Sequence, residues 1–292
     1  MFDLRYHVAS LAAVFVALLI GILVGVAMSG KVDDAEKQAL KSDVNRLNAQ
    51  LEAASEGRAN VTREQTAIRA FVKNAYPSLI ADRLRGERIA VLFAGPVDAG
   101  VRQDIERAVE DAGASAPVRM RSLKLPIDPE TIESKLTGEL RQYRAAELDE
   151  LGRVLAKELV DGGDTPGWNA LTSVLVEEKA GSFRRAADGV VVARTVEAQQ
   201  GETSVFLSGL YAGLADMDVP AIGVETSDVS RSAVGSWSKE GLSTVDDVDA
   251  AAGRLALALL LSGSPSGSYG VKKSAGDGII PPIEPLPAQA GG

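Results

Sequence analysis

The 292 residues contain no cysteine, so disulfides, thiolate nucleophiles and zinc–thiolate centres are excluded together. Stability must come from packing, and a cysteine-free chain is compatible with an oxidising compartment. Histidine is almost as scarce. The single one, His7, sits beside the first apolar run, which removes a Ser-His-Asp triad or a multi-histidine metal site from the rest of the chain. Basic charge is also in deficit: 31 Lys and Arg stand against 40 Asp and Glu, a formal net charge of -9. A sequence-independent phosphate-binding surface needs a local excess of Lys and Arg, so nucleic acid is excluded as a partner class. Methionine is limited to Met1, Met28, Met120 and Met217, with no MxxM or HxH pair to offer soft or imidazole ligands. No GxGxxG or GxxxxGK[ST] string accompanies any strand.

What is present begins with Val8 to Met28, 21 consecutive uncharged residues. At 1.5 Å per residue such a helix reaches about 30 Å, the thickness of a bilayer's hydrocarbon core, and we expect residues 1–30 to be a transmembrane anchor. A cleaved signal sequence is the rival reading, but its apolar region runs only about 7 to 15 residues before a small-residue site. Phe2 and Tyr6, with Arg5, stand where an interfacial aromatic belt would lie. Lys31, Lys37 and Lys41 follow the run, so a positive-inside count leaves the orientation open. Ala17, Gly21 and Gly25 recur every four residues and offer a small-residue face for a second helix.

Residues 31–75 are rich in Ala, Glu, Gln, Lys and Arg, with steps of four and three between Leu40, Val44, Leu47, Leu51, Ala54, Arg58, Val61, Gln65, Ile68 and Val72. Eight of these ten are apolar, the signature of a coiled-coil seam, with Gly57, Arg58 and Gln65 weakening its middle. A helix packing on its own globular domain is the alternative. Pro77 marks the expected stop after Tyr76.

From 76 to 272 short apolar runs alternate with helical stretches. Strands are expected at Arg88–Ala94, Ala116–Arg121, Gly189–Ala193, Ser204–Leu207 and Ala221–Glu225. Helices are expected near Ala99–Ala112, Ala145–Val160, Trp168–Ala180, Ser208–Ala215 and Asp247–Leu261. Continuously apolar strands separated by helices predict an open, mostly parallel three-layer α/β domain. The last helix is too short to span a membrane. Residues 263–292 are rich in Gly, Ser and Pro, and 273–292 are expected to be a disordered tail.

Three features carry possible chemistry. Gly95-Pro96 after the first strand resembles the first turn of a ligand-binding α/β sheet, although Asp98 is more simply a helix N-cap. Asp246, Asp247 and Asp249 offer three carboxylates for a hard cation, yet Thr244 with Asp247 three residues on resembles a capping box. Ser236 to Lys239 contains a bare SxxK with no companion motif.

The N-terminal DLRYHVASLAAVFVALLIGILVG (Asp3 to Gly25) and the C-terminal STVDDVDAAAGRLALALLLSG (Ser243 to Gly263), followed by Gly267-Ser268-Tyr269-Gly270, resemble the MctB family of actinobacterial copper transport proteins. The resemblance implies a non-enzymatic, membrane-associated envelope protein of copper transport or homeostasis, with copper as the transported ion and no cofactor. It further implies a single-pass cell-membrane protein with its soluble domain outside the cytoplasm, or an outer-membrane location as described for some members. The residues themselves favour a non-enzymatic envelope scaffold acting through a coiled-coil partner or as a homo-oligomer beside the bilayer, and the resemblance to the wider group of relatives gives that alternative a role in cell division or wall remodelling. Gly21, Gly25, Leu40, Val44, Leu47 and Leu51 are the candidate oligomerisation residues.

Overall fold

The computed structural model describes residues 4–28, 34–115, 117–143 and 148–285. The chain divides into two units, Met1–Ile68 and Arg69–Gly292. The first holds helix α1 (Leu4–Met28) and most of helix α2 (Asp34–Ile80). Within α1, His7–Gly25 is long and apolar enough to cross a membrane by length and composition, and its side chains project freely, with Leu11 69% exposed.

The second unit opens with the last turns of α2. Sequence reasoning stops this helix before Pro77; it instead continues to Ile80. Proline forfeits one intrahelical hydrogen bond, but Tyr76 and Leu79 lie against the core beyond and Ile80 is buried in it, and this packing outweighs the loss. Asp82, with φ of 63°, then turns the chain out of the helix.

The remaining elements are β1 (Ile89–Ala94), α3 (Ala99–Asp111), β2 (Arg119–Leu123), α4 (Pro129–Lys135), α5 (Leu148–Asp161), α6 (Pro166–Leu175), β3 (Val176–Gly181), β4 (Gly189–Arg194), α7 (Gly201–Ala215), β5 (Ala221–Val224), α8 (Val234–Lys239), β6 (Ser243–Val245), α9 (Ala251–Leu261) and β7 (Ser268–Tyr269). The sheet order is β3-β2-β1-β4-β5-β6-β7, parallel throughout except for β3, which runs antiparallel to β2. Alternate residues of the central strand serve opposite cores. Ala90, Leu92 and Ala94 face a cluster with Trp168, Phe206 and Leu210, whereas Ile89, Val91 and Phe93 face one with Ile105, Val109 and Leu257. Both faces are covered, which explains the uninterrupted apolar runs and gives the expected three-layer α/β architecture.

Four local expectations are corrected. Ser204–Leu207 lies inside α7, because Thr203, Phe206, Leu207, Leu210 and Leu214 recur at helical spacing and bury one face. Gly152, Gly209 and Gly213 let α5 and α7 meet backbone to backbone: a Cβ on Gly209 would stand 2.0 Å from the Asp149 carbonyl oxygen. The Trp168–Ala180 helix ends at Leu175, and the Glu177-Glu178-Lys179 stretch becomes a charged edge strand, a device that protects a sheet margin from further pairing. The last helix starts at Ala251, not Asp247, after a strand that the sequence reading missed. Residues 286–292 of the expected tail lie outside the described residues, but up to Pro285 the glycine-rich segment after α9 does not trail away: β7 pairs with β6, Asp277 accepts from the Ser268 amide at 2.8 Å, Ile280 packs against the core, and the Glu284 carbonyl accepts from Arg83.

Candidate functional site

In an open parallel sheet, ligands meet the carboxyl ends of the strands where the strand order reverses. Here the reversal falls between β1 and β4, and a cleft of about 950 Å³ opens there, lined by Asp98, Arg194, Glu197, Glu225, Asp228 and Arg231 among others. Gly95 makes its floor possible. Its φ is 119°, and any Cβ would lie 2.6 Å from Val196 Cγ1. The Gly95-Pro96 turn is tied across the sheet by Thr195, whose hydroxyl donates to the Pro96 carbonyl at 2.6 Å.

The N-terminus of α3 points to this cleft, and such termini hold phosphates through free amides. Its amides are already engaged: Asp98 Oδ1 accepts from Gly100 N and Val101 N, both at 2.9 Å. Asp98 is therefore the N-cap that the sequence indicated, and the cap occupies the place where a phosphate would sit. Several lining carboxylates are likewise committed, Glu197 to Arg231 at 2.7 Å and Asp104 to Arg107 at 3.3 Å.

The far wall of the cleft is held by the acidic segment. Thr244 belongs to β6 and Ala250, without a side-chain bond, precedes α9, so no capping box forms. The three aspartates instead diverge. Asp246 is buried and accepts from Val271 N at 2.8 Å, Lys272 N at 3.2 Å and Ser274 Oγ at 3.3 Å. Asp249 accepts from Ser227 N and Oγ, each at 2.7 Å. Asp247 is 1% exposed, and neither of its oxygens has a hydrogen-bond partner. Burial, reinforced by the neighbouring charges of Asp246 and Asp249 against an opposing pull from Lys272, pushes its carboxyl up to about 6.

Lys272 completes this lock. Its ammonium donates to Glu225 Oε1 at 2.7 Å and to the carbonyls of Thr226 and Val229, while Glu225 Oε2 receives the Ala233 amide. Gly270 lies beside Asp246 with φ of 137°, and a Cβ there would come within 2.0 Å of Asp246 Oδ1. This partnership escaped the sequence reading, although the glycines of Gly267-Ser268-Tyr269-Gly270 were its only outward sign.

Among the described residues there is no group of three or more His, Asp or Glu side chains placed to hold a metal ion. The sulfurs do not converge: Met120 is buried in the core that faces α3 and α9, and Met217 packs against the core on the opposite face. In the SxxK string, Trp237 is buried and Ser238 Oγ sits 3.1 Å from Ser268 Oγ. Of the candidate oligomerisation residues, Gly21 and Gly25 stand in open space, where an added Cβ would meet no heavy atom within 4 Å. Val44 and Leu47 are half-buried, and Leu51 is 64% exposed. Leu40 lies on α2 with its side chain outside the described set. A fully buried cation, Arg119, also went unnoticed. It spends its guanidinium on the carbonyls of Leu159, Ser182 and Arg185, with the Phe183 ring 4.9 Å from its carbon.

A family model described as "Copper transport outer membrane protein, MctB" matches residues 1–280. Proteins named "Copper transporter MctB" from Mycobacterium tuberculosis and Mycobacterium bovis are each 24% identical over 323 residues, covering 94% of this chain and 98% of their own. The Mycobacterium leprae protein of that name is 24% identical over 326 residues, covering 96% of this chain and all of its own.

Proposed function

The chain belongs to the MctB family of copper transport proteins, and from that premise we propose that it is a non-enzymatic, membrane-anchored component of copper handling whose α/β domain faces away from the cytoplasm. The observation that carries the reading is the match from residue 1 to residue 280, which takes in the apolar helix and the folded domain as one unit. Copper enters this reading as cargo. Of the soft and imidazole donors that copper prefers, His7, Met1 and Met28 belong to the N-terminal anchor and only Met120 and Met217, on opposite cores, belong to the α/β domain, which itself supplies no converging set. A role in copper handling then falls to the protein as an assembled, membrane-held part of an envelope system, with the cleft and its lock as its rigid outward face. The absence of cysteine and of histidine beyond His7 supports the non-enzymatic side of the proposal.

The test is cellular copper content in a strain lacking the gene, measured by elemental analysis after growth in graded copper. A changed copper content, restored to the parental level by the full chain and not by a chain lacking residues 1–30, is the expected result. Copper content indistinguishable from the parent at every dose overturns the proposal.

A further inference from the structure

Within the first unit, helix α2 carries an exposed apolar stripe. Leu51, Val61 and Ile68 are 64%, 54% and 55% exposed, and all three fall on the seam marked by alternating steps of three and four. Exposed large aliphatics on one line of a water-facing helix, 47 residues and so about 70 Å long, need a partner of matching length and period. We propose that the partner is a second copy of this chain, paired in parallel and in register along α2.

The charges beside the seam decide the orientation. With Val44, Leu51, Arg58, Gln65 and Val72 at heptad a, and Leu40, Leu47, Ala54, Val61 and Ile68 at d, the g positions carry Glu36, Asp43 and Glu64 as their only charges. Along the seam the e positions carry Lys41 and Arg69, and Asp34, the first residue of the helix, stands at e ahead of the first seam residue. In a parallel coil each g residue meets the e residue of the partner's following heptad, which sets Glu36 against Lys41 and Glu64 against Arg69 and brings no like charges together. An antiparallel coil sets g against g and e against e. Acids would then oppose acids and bases oppose bases, each contact destabilising. Among the ten seam residues Arg58 is the one charged; Lys37, the a position before Leu40, adds a second at the start of the helix. Beside Gly57 the Arg58 stem has room to carry the guanidinium out to water, at a cost in stability that a polar core layer exchanges for a fixed register. The orientation stands on the charges alone. The strength of the pair rests on the proposed anchoring, because confinement of both copies to one bilayer aligns their α2 helices and raises their effective concentration.

Because the chain has no cysteine, single cysteines report proximity without background. We would introduce Leu47→Cys, Ala54→Cys, Ile68→Cys and, on the opposite side of the helix, Glu56→Cys, one at a time into the full chain, and treat membranes with a short bifunctional maleimide. Parallel, in-register pairing brings each seam residue to its own twin, so Leu47→Cys and Ile68→Cys give a cross-linked dimer and Glu56→Cys does not. Cross-linking only near the helix centre, at Ala54→Cys, means an antiparallel coil and overturns the proposal; equal cross-linking at Glu56, or none anywhere, overturns it too. A charge exchange gives a second arm: Glu64→Arg weakens the pair roughly tenfold and Glu64→Arg with Arg69→Glu restores it, since both symmetric contacts reverse sign and then recover. Fractionating the same samples reports membrane residence separately, so a failed anchor and a failed pair give different results.

Discussion

Asp247 offers a direct reading of how burial is felt at the edge of the cleft. Its carboxyl is 1% exposed and has no hydrogen-bond partner, and its pKa rises from the ordinary 3.8 to about 6. That rise makes the ionised form cost the native state about 3 kcal/mol. The native carboxyl holds its proton more tightly than the unfolded one, so this cost is absent below the unfolded value of 3.8, grows as pH rises and is complete above about 6. Asp247→Asn keeps the shape and removes the charge at every pH. The variant should therefore match the parent near pH 4 and exceed it by up to about 3 kcal/mol at pH 8. Urea unfolding of the detergent-solubilised chain, followed by the fluorescence of Trp168 and Trp237, measures this cleanly, because these are the only tryptophans and both are buried in the α/β unit. Parallel pH profiles for parent and variant would refute the reasoning.

Removing residues 1–30 should move the protein from the membrane fraction to the supernatant, since the single described helix of spanning length and composition lies there; retention through high-salt and alkaline washes would sink the anchor. Gly209→Ala forces a Cβ against the Asp149 carbonyl, so α5 and α7 must separate at a cost of about 1–3 kcal/mol of unfolding free energy, read as a lowered urea midpoint. Gly57→Ala, with nothing within 4 Å on an exposed stretch of α2, should instead favour the helix by about 0.5–1 kcal/mol, and a comparable loss in both variants would show that close approach is not the cause. Calorimetric titration of the purified chain with Cu(I) and Cu(II) against a competing chelator should show weak binding or none; submicromolar stoichiometric binding abolished by changing Asp246, Asp247 and Asp249 to asparagine would restore direct coordination by that segment.

The parallel strands were legible because burial on both faces removes the polar alternation and leaves runs such as Ile89–Ala94 that no surface helix tolerates. The same logic fails for β6 and β7. At three and two residues they are too short to show a period, and they exist because pairing with β5 and with each other completes a ladder that only the assembled sheet offers. Ser204 to Leu207 misled in the opposite direction: Val205 and Phe206 suggest a strand, but what decides α7 is its fit against α5 through its own Gly209 and Gly213 and the distant Gly152.

The acidic segment shows the deeper limit. A local reading weighs three adjacent aspartates against a cap or a cation, since only their immediate neighbours are visible to it. In the folded chain the choice is made by residues 271–274 for Asp246 and by Ser227 for Asp249, and the spare carboxylate, Asp247, is enclosed with nothing to bind. The two C-terminal strings that carry the family resemblance thus meet at one point, where Gly270 can only be glycine because Asp246 Oδ1 fills the space of its side chain. That contact, together with Lys272 on Glu225, pins the end of the chain to the cleft wall. The shared residues at this end are accounted for by closing the sheet and fixing its edge, so the resemblance here reports an architecture and leaves any copper ligand to be sought in the assembled protein.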